Sequence, residues 1–134
     1  MGNYTNQIMR NAERINQLKV RIDETVKFRE KNEQKRREWE KACFDFHQQY
    51  DSLAFPGGFN GALERLLEGD PATMEAAICF LECRPYFFRS GYMFKDILRK
   101  AKKAPLSDGQ RERLEHVVEA YRLYRERKNT SQGS

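Results

Sequence analysis

From Asn3 to Tyr50 the chain contains neither proline nor glycine, and apolar residues recur at heptad spacing through the first half of that stretch. A run rich in Glu, Lys, Arg and Gln with no backbone breaker has every local reason to be helical. It therefore reads as one long helix or two nearly collinear ones, about 70 Å if uninterrupted. Ile8, Ile15 and Ile22 occupy one seam position, and Asn11, Leu18 and Thr25 the other. The same register then passes through Arg29, Asn32 and Arg36 before returning to Trp39, Cys43, Phe46, Tyr50 and Leu53. A polar segment such as REKNEQKRRE (29–38) has no face to bury. That interruption divides the chain into an extended amphipathic arm (1–38), a helical globular domain (39–128) and a disordered tail (129–134). So short a seam is marginal alone, so Ile8, Ile15, Leu18 and Ile22 need a cover: another protein, a second copy, or the chain folded back on itself.

Beyond Tyr50 the punctuation is dense. AFPGGFNG (54–61) is a turn-rich connection, Asn60 is placed to cap a short helix, and Gly69 is placed to stop it after Glu68. Asp70 followed by Pro71 is a capping carboxylate before the residue favoured in the first helical position. The helix that follows shows Met74, Ala77, Ile78 and Leu81 on one face and ends near Cys83, because Pro85 disfavours helix at Arg84. Ser90 is positioned to cap the next helix, with Tyr92, Phe94, Ile97, Leu98 and Ala101 apolar, and Pro105 closes it. Ser107 and Gln110 form a capping-box pattern for a last helix with a stripe of Leu114, Val117, Val118, Tyr121 and Tyr124. No strand pattern survives, so the fold class is all-α: a long N-terminal, coiled-coil-like helix followed by about four shorter ones in two helical hairpins. The hairpins resemble a pair of HEAT-type repeats in architecture, and a small bundle fits equally; no repeat consensus recurs at a fixed period.

The apolar share is 39% and the charged share 34%, as expected where part of a chain is a solvated helix, and fifteen Phe and Tyr side chains argue against wholesale disorder. The net charge of +5 conceals a split: residues 1–50 carry +3, residues 51–83 carry −5 and residues 84–134 carry +7. Residues 84–103 alone hold seven cations against the single Asp96, a concentration that attracts an anionic partner.

Three cysteines without a secretory context read as free thiols in a reducing compartment, so the expected location is the cytoplasm. No apolar run reaches membrane-spanning length and the start has neither a signal-peptide stretch nor the myristoylation pattern. Cys43 with His47, and Cys79 with Cys83, are each four apart on a helix and together make a conceivable zinc set. Structural zinc more commonly uses tight loop-borne pairs, and buried cysteine is the commoner role, so no metal or other cofactor is expected. A nucleophilic Cys–His pair needs a third group to orient the base, which Cys43 and His47 lack; His116 sits among glutamates, and Gly57–Gly58 lacks the context of a phosphate loop. The chain reads as no enzyme.

What remains is binding. RPYFFRSGYMFK (84–95) holds five aromatic and three basic residues and no acid. Most of these rings are expected to fill the space between the hairpins, while some stay at the surface beside cations, the mixture that makes protein hot spots or stacks unpaired bases. The leading expectation is a non-catalytic helical protein that binds another protein, similar in size and class to small immunity, inhibitor or adaptor proteins. Its candidate residues are Ile8, Ile15, Leu18 and Ile22 on the arm and Tyr86, Phe87, Arg89 and Tyr92 at the hairpin junction. The alternative is nucleic-acid binding through Arg89, Lys95, Arg99, Lys100, Lys102 and Lys103, although no helix-turn-helix, zinc-finger or RNA-binding signature accompanies them.

Overall fold

A computed structural model describes residues 4–133; Met1 to Asn3 at the start of the arm and Ser134 at the end of the tail lie outside the described residues. The fold is all-α, a small bundle of six helices: α1 (Tyr4–Val26), α2 (Glu33–Ala54), α3 (Ala62–Glu68), α4 (Pro71–Cys83), α5 (Ser90–Ala101) and α6 (Asp108–Gly133). Among the described residues no helix is long and apolar enough to cross a membrane.

The polar interruption of the heptad is where the chain reverses. A single long helix and its collinear variant are both overturned: α1 and α2 fold back on each other through the connection 27–32. The physical reason is burial, since a straight rod leaves both apolar seams in water whereas a hairpin sets each against the other. Asn32 makes the restart possible, its side chain accepting the Lys35 N–H at 2.9 Å with Glu33 in the first turn. Arg29 lies over the Trp39 ring at 4.9 Å and closes the tip.

Local signals set most other boundaries. The Asp70 carboxylate accepts from the Thr73 N–H at 3.0 Å and from the Thr73 hydroxyl at 2.6 Å, bonds that hold its pKa below the ordinary value. Gly69 stops α3 at φ +84°, and a Cβ there would meet Pro105 Cγ at 2.8 Å, so both the backbone and the neighbouring connection demand glycine. Ser107 Oγ accepts from the Gln110 N–H while Gln110 Oε1 accepts from the Ser107 N–H, both at 3.1 Å. Two caps differ from expectation: Gly61, not Asn60, precedes α3, and Ser90 is the first residue of α5 rather than its cap.

α4 is the hub, packed against α1, α3, α5 and α6. It is apolar nearly all round, as a fully enclosed helix must be: Ala76, Ala77, Ile78, Phe80 and Leu81 are all buried. Ile15, Phe55, Leu66 and Ile97 join it at the centre of the core, each burial contributing roughly 1.5–3 kcal/mol for a large side chain.

Candidate functional site

The loop between α4 and α5 is pinned from three sides. Asn16 on α1 donates to the Tyr86 carbonyl at 3.0 Å, and Tyr50 on α2 donates its hydroxyl to the Phe88 carbonyl at 2.6 Å. The Phe87 N–H donates to Ser90 Oγ at 3.0 Å, which is where the serine's hydroxyl goes instead of capping the helix. Burial pushes the Tyr50 phenol above its ordinary pKa, partly countered by Arg89, so it remains a donor at neutral pH.

Both residues that bound this loop are arginines in the left-handed region, Arg84 at φ +46° and Arg89 at φ +68°, and among the described residues they are the non-glycine residues with positive φ. That conformation costs about 1 kcal/mol each for a residue with a Cβ. The arginine side chains return a comparable amount by stacking. The Arg84 guanidinium lies 4.9 Å from the Phe94 ring centre, 5.4 Å from Tyr121 and 4.5 Å from Tyr124; Arg89 lies 5.3 Å from Phe88.

Two depressions meet here, of about 900 Å³ along the loop and about 690 Å³ between α5 and α6, and they share Arg84, Lys95, Tyr121 and Tyr124. Helical spacing builds the walls. On α5, Tyr92, Lys95, Arg99 and Lys102 follow one another by three, four and three residues and so form one stripe. On α6, Tyr121 and Arg125, and Tyr124 and Lys128, are four apart, and the two pairs lie side by side on one face. Six cations line the smaller depression, and neither depression has an Asp or Glu among its lining residues. Arg99 is paired with Asp96 at 2.9 Å. Arg84, Lys95, Lys102, Arg125 and Lys128 have no carboxylate within ion-pair distance among the described residues.

A clamp sets α6 against α4 and thereby fixes the spacing of these walls. Arg113 donates to Glu75 at 3.0 Å and to Glu82 at 2.7 Å, and Gln110 adds a bond to Glu75 at 3.1 Å. Burial alone would raise the Glu75 carboxyl, but the bonds from Gln110 and Arg113 outweigh it and hold its pKa below the ordinary value.

The candidate residues divide sharply. Ile8, Ile15 and Leu18 are buried and Ile22 is half-buried against the core, so they are packing residues covered by their own chain and offer no free face; this corrects the reading of the arm as an interface. Phe87 is likewise core, edge-on to Phe80 and Tyr50, because the pinned loop turns it inward and leaves Phe88 near the surface. Tyr86 and Tyr92 stand out at 86% and 73% exposed, with Arg89 exposed beside them. Lys95, Arg99 and Lys102 line the groove, whereas Lys100 and Lys103, displaced by a helical step of one residue, do not. Cys43, His47, Cys79 and Cys83 form no cluster of three or more ligands among the described residues. Cys79 instead contacts Glu75 and Arg113, and burial pushes the Cys83 thiol up to about 11.

Sequence reasoning missed the α6 wall. Tyr121 and Tyr124 read as the end of a buried stripe, yet Tyr121 is half-buried and Tyr124 41% exposed. The signal was present: α6 is 26 residues long and its apolar stripe passes into Arg125 and Lys128, so the helix outlasts the core it packs on.

Fold and site together define a small all-α protein with one uncovered basic-aromatic face. Compared with protein-family models, curated proteins and solved structures, the chain matches none.

Proposed function

We propose that this is a non-catalytic binding protein that holds an anionic macromolecule on the face built by the 84–89 loop, α5 and α6. The observation that carries this reading is the row of cations without carboxylate partners. A charged side chain in a concave site stays available for an external anion only if the protein does not neutralise it, and the low-dielectric walls concentrate its field. Arginine and tyrosine held by a pinned loop also lose little freedom on binding, which favours affinity.

The test is elution from a heparin column, with heparin as the polyanion. The triple variant Lys95→Glu, Arg99→Glu, Lys102→Glu is expected to elute at much lower salt than Lys31→Glu, Lys35→Glu, Lys41→Glu, which makes the same change in net charge on the α1–α2 hairpin. Elution of the two together would show that net charge alone governs retention and would remove the proposal.

A further inference from the structure

Resting on that reading, we infer that the anion is a single strand of nucleic acid, its bases stacked on the exposed tyrosines and its phosphates running along the cation stripes of α5 and α6.

The arrangement of the rings points to this occupant. Tyr92 heads the α5 stripe and Lys95, Arg99 and Lys102 follow it over about 15 Å of helix. Rings therefore gather at the loop end of the face, with Tyr86, Tyr92 and Tyr124 exposed, and cations continue toward the far end. A sugar-phosphate chain with unpaired bases presents the same two chemistries side by side, flat apolar faces and regularly spaced negative charges. A duplex keeps its bases stacked on one another and has no use for exposed rings. A protein partner calls for an apolar centre to its interface. Here the accessible apolar surface is made of rings rather than aliphatic side chains: Leu98 in the smaller depression is 6% exposed and belongs to the core, and in the larger one Phe87 and Phe94 are buried while Phe88 stays 45% exposed. The lack of any acid in the lining also fits a uniformly negative strand better than a protein surface of mixed sign.

Stacking and charge make separable predictions. Each phosphate contact releases counterions, so the logarithm of affinity for a single strand falls with the logarithm of salt by about 0.7 per contact. Lys102→Ala removes one such contact and makes that slope shallower by about 0.7. Tyr92→Ala removes a ring and weakens binding about 5- to 100-fold while leaving the slope unchanged. Lys103→Ala, one helical step outside the groove, changes neither. All three positions are exposed, so the variants retain the fold, which circular dichroism checks.

The experiment is fluorescence anisotropy of the full chain with labelled RNA and DNA single strands of about ten nucleotides, the matching duplexes, and polyglutamate. Binding of either single strand in preference to its duplex, with the split between Tyr92→Ala and Lys102→Ala, supports the inference, and the preferred sugar identifies the strand. Equal binding of duplex with no effect of Tyr92→Ala overturns stacking, and with it the single strand, while leaving an anion-binding face. Binding of polyglutamate alone overturns the nucleic acid in favour of an acidic protein. If none of these probes binds and the heparin comparison also fails, both the inference and the reading beneath it fall; if none binds but the heparin comparison holds, the inference falls and the reading beneath it stands.

Discussion

The α1–α2 hairpin and the α5–α6 face are both rich in cations, and they differ in the carboxylates that stand among them. On the hairpin, Lys19, Lys35, Arg36, Arg37 and Lys41 each pair with a carboxylate three or four residues away, between 2.7 and 3.5 Å. Such exposed pairs on one helix contribute little to stability, but they cancel the field a partner would sense. Among the cations that line the two depressions, Arg99 has that kind of neighbour in Asp96 and Lys19, which reaches the larger depression from α1, has one in Asp23; Arg84, Arg89, Lys95, Lys102, Arg125 and Lys128 have none among the described residues. The apolar residues are divided in both regions: the hairpin turns Ile8, Ile15 and Leu18 inward and leaves Met9, Val20, Phe28 and Phe44 exposed, while the face buries Phe87 and Phe94 and turns Tyr86 and Tyr92 outward. Composition explains part of the difference: residues 4–54 set nine carboxylates among eleven cations and pair five of them, leaving Arg10, Arg14, Arg21, Lys27, Arg29 and Lys31 without an ion pair among the described residues, whereas residues 84–103 set one Asp among seven cations.

The most drastic way to break this contrast is Ile15→Asp. It places an unpaired carboxylate at a site with no exposure and should cost at least about 4 kcal/mol, read by urea denaturation. A variant that stays as stable as the parent but loses mass by light scattering would instead put α1 between two copies. Next comes the clamp behind the groove. Arg113→Ala leaves Glu75 and Glu82 facing each other, and after allowance for its partial exposure should cost about 1–2 kcal/mol and lower Tm by roughly 3–6 °C.

The clamp also predicts a pH dependence. Glu75 is depressed below its ordinary 4.5, so the stability it contributes is fully present above that value and is lost as the pH falls through the lower, folded-state pKa. A Tm scan from about pH 7 to about pH 3 should therefore show Glu75→Gln less stable than the parent near neutrality, with the gap closing in acid; a constant gap would assign the residue a packing role only.

Smaller effects sharpen the comparison. Tyr50→Phe deletes the hydroxyl bond to the Phe88 carbonyl, which should cost about 1 kcal/mol, and amide exchange at Phe87 should quicken as the loop loosens. Unaltered exchange would show that Asn16 and Ser90 hold the loop unaided. At the bottom of the scale, Arg37→Ala removes one hairpin pair and should change stability by no more than about 0.5 kcal/mol. A larger change would mean that the hairpin pairs act as a network.

Legibility followed range. Asp70–Pro71, Gly69 and the Ser107–Gln110 box act within four residues, so their chemistry is complete in the local sequence and the helices they bound were readable. Asn32 with Glu33 carries the same kind of signal for the restart of α2, but it stands inside a stretch that otherwise favours helix and so does not by itself mark a reversal. The exposure of one of the adjacent rings Phe87 and Phe88 was also readable in outline, since neighbours in a turn cannot share one pocket; which of them goes inward depends on Tyr50 and Phe80, far away in sequence.

By itself, then, the sequence determined an all-α chain, the ends of most of its helices, and a concentration of cations and rings after residue 84. Only the tertiary structure decided that α2 and α4 cover the α1 seam, that Lys102 lines the groove while Lys100 and Lys103 do not, and that Tyr124 and Lys128 stand opposite the α5 stripe. The reason is physical. Caps and periodicity are settled by bonds between near neighbours, whereas a face shared by the 84–89 loop, α5 and α6 exists only once burial around α4 and the Arg113 clamp have set separate helices side by side.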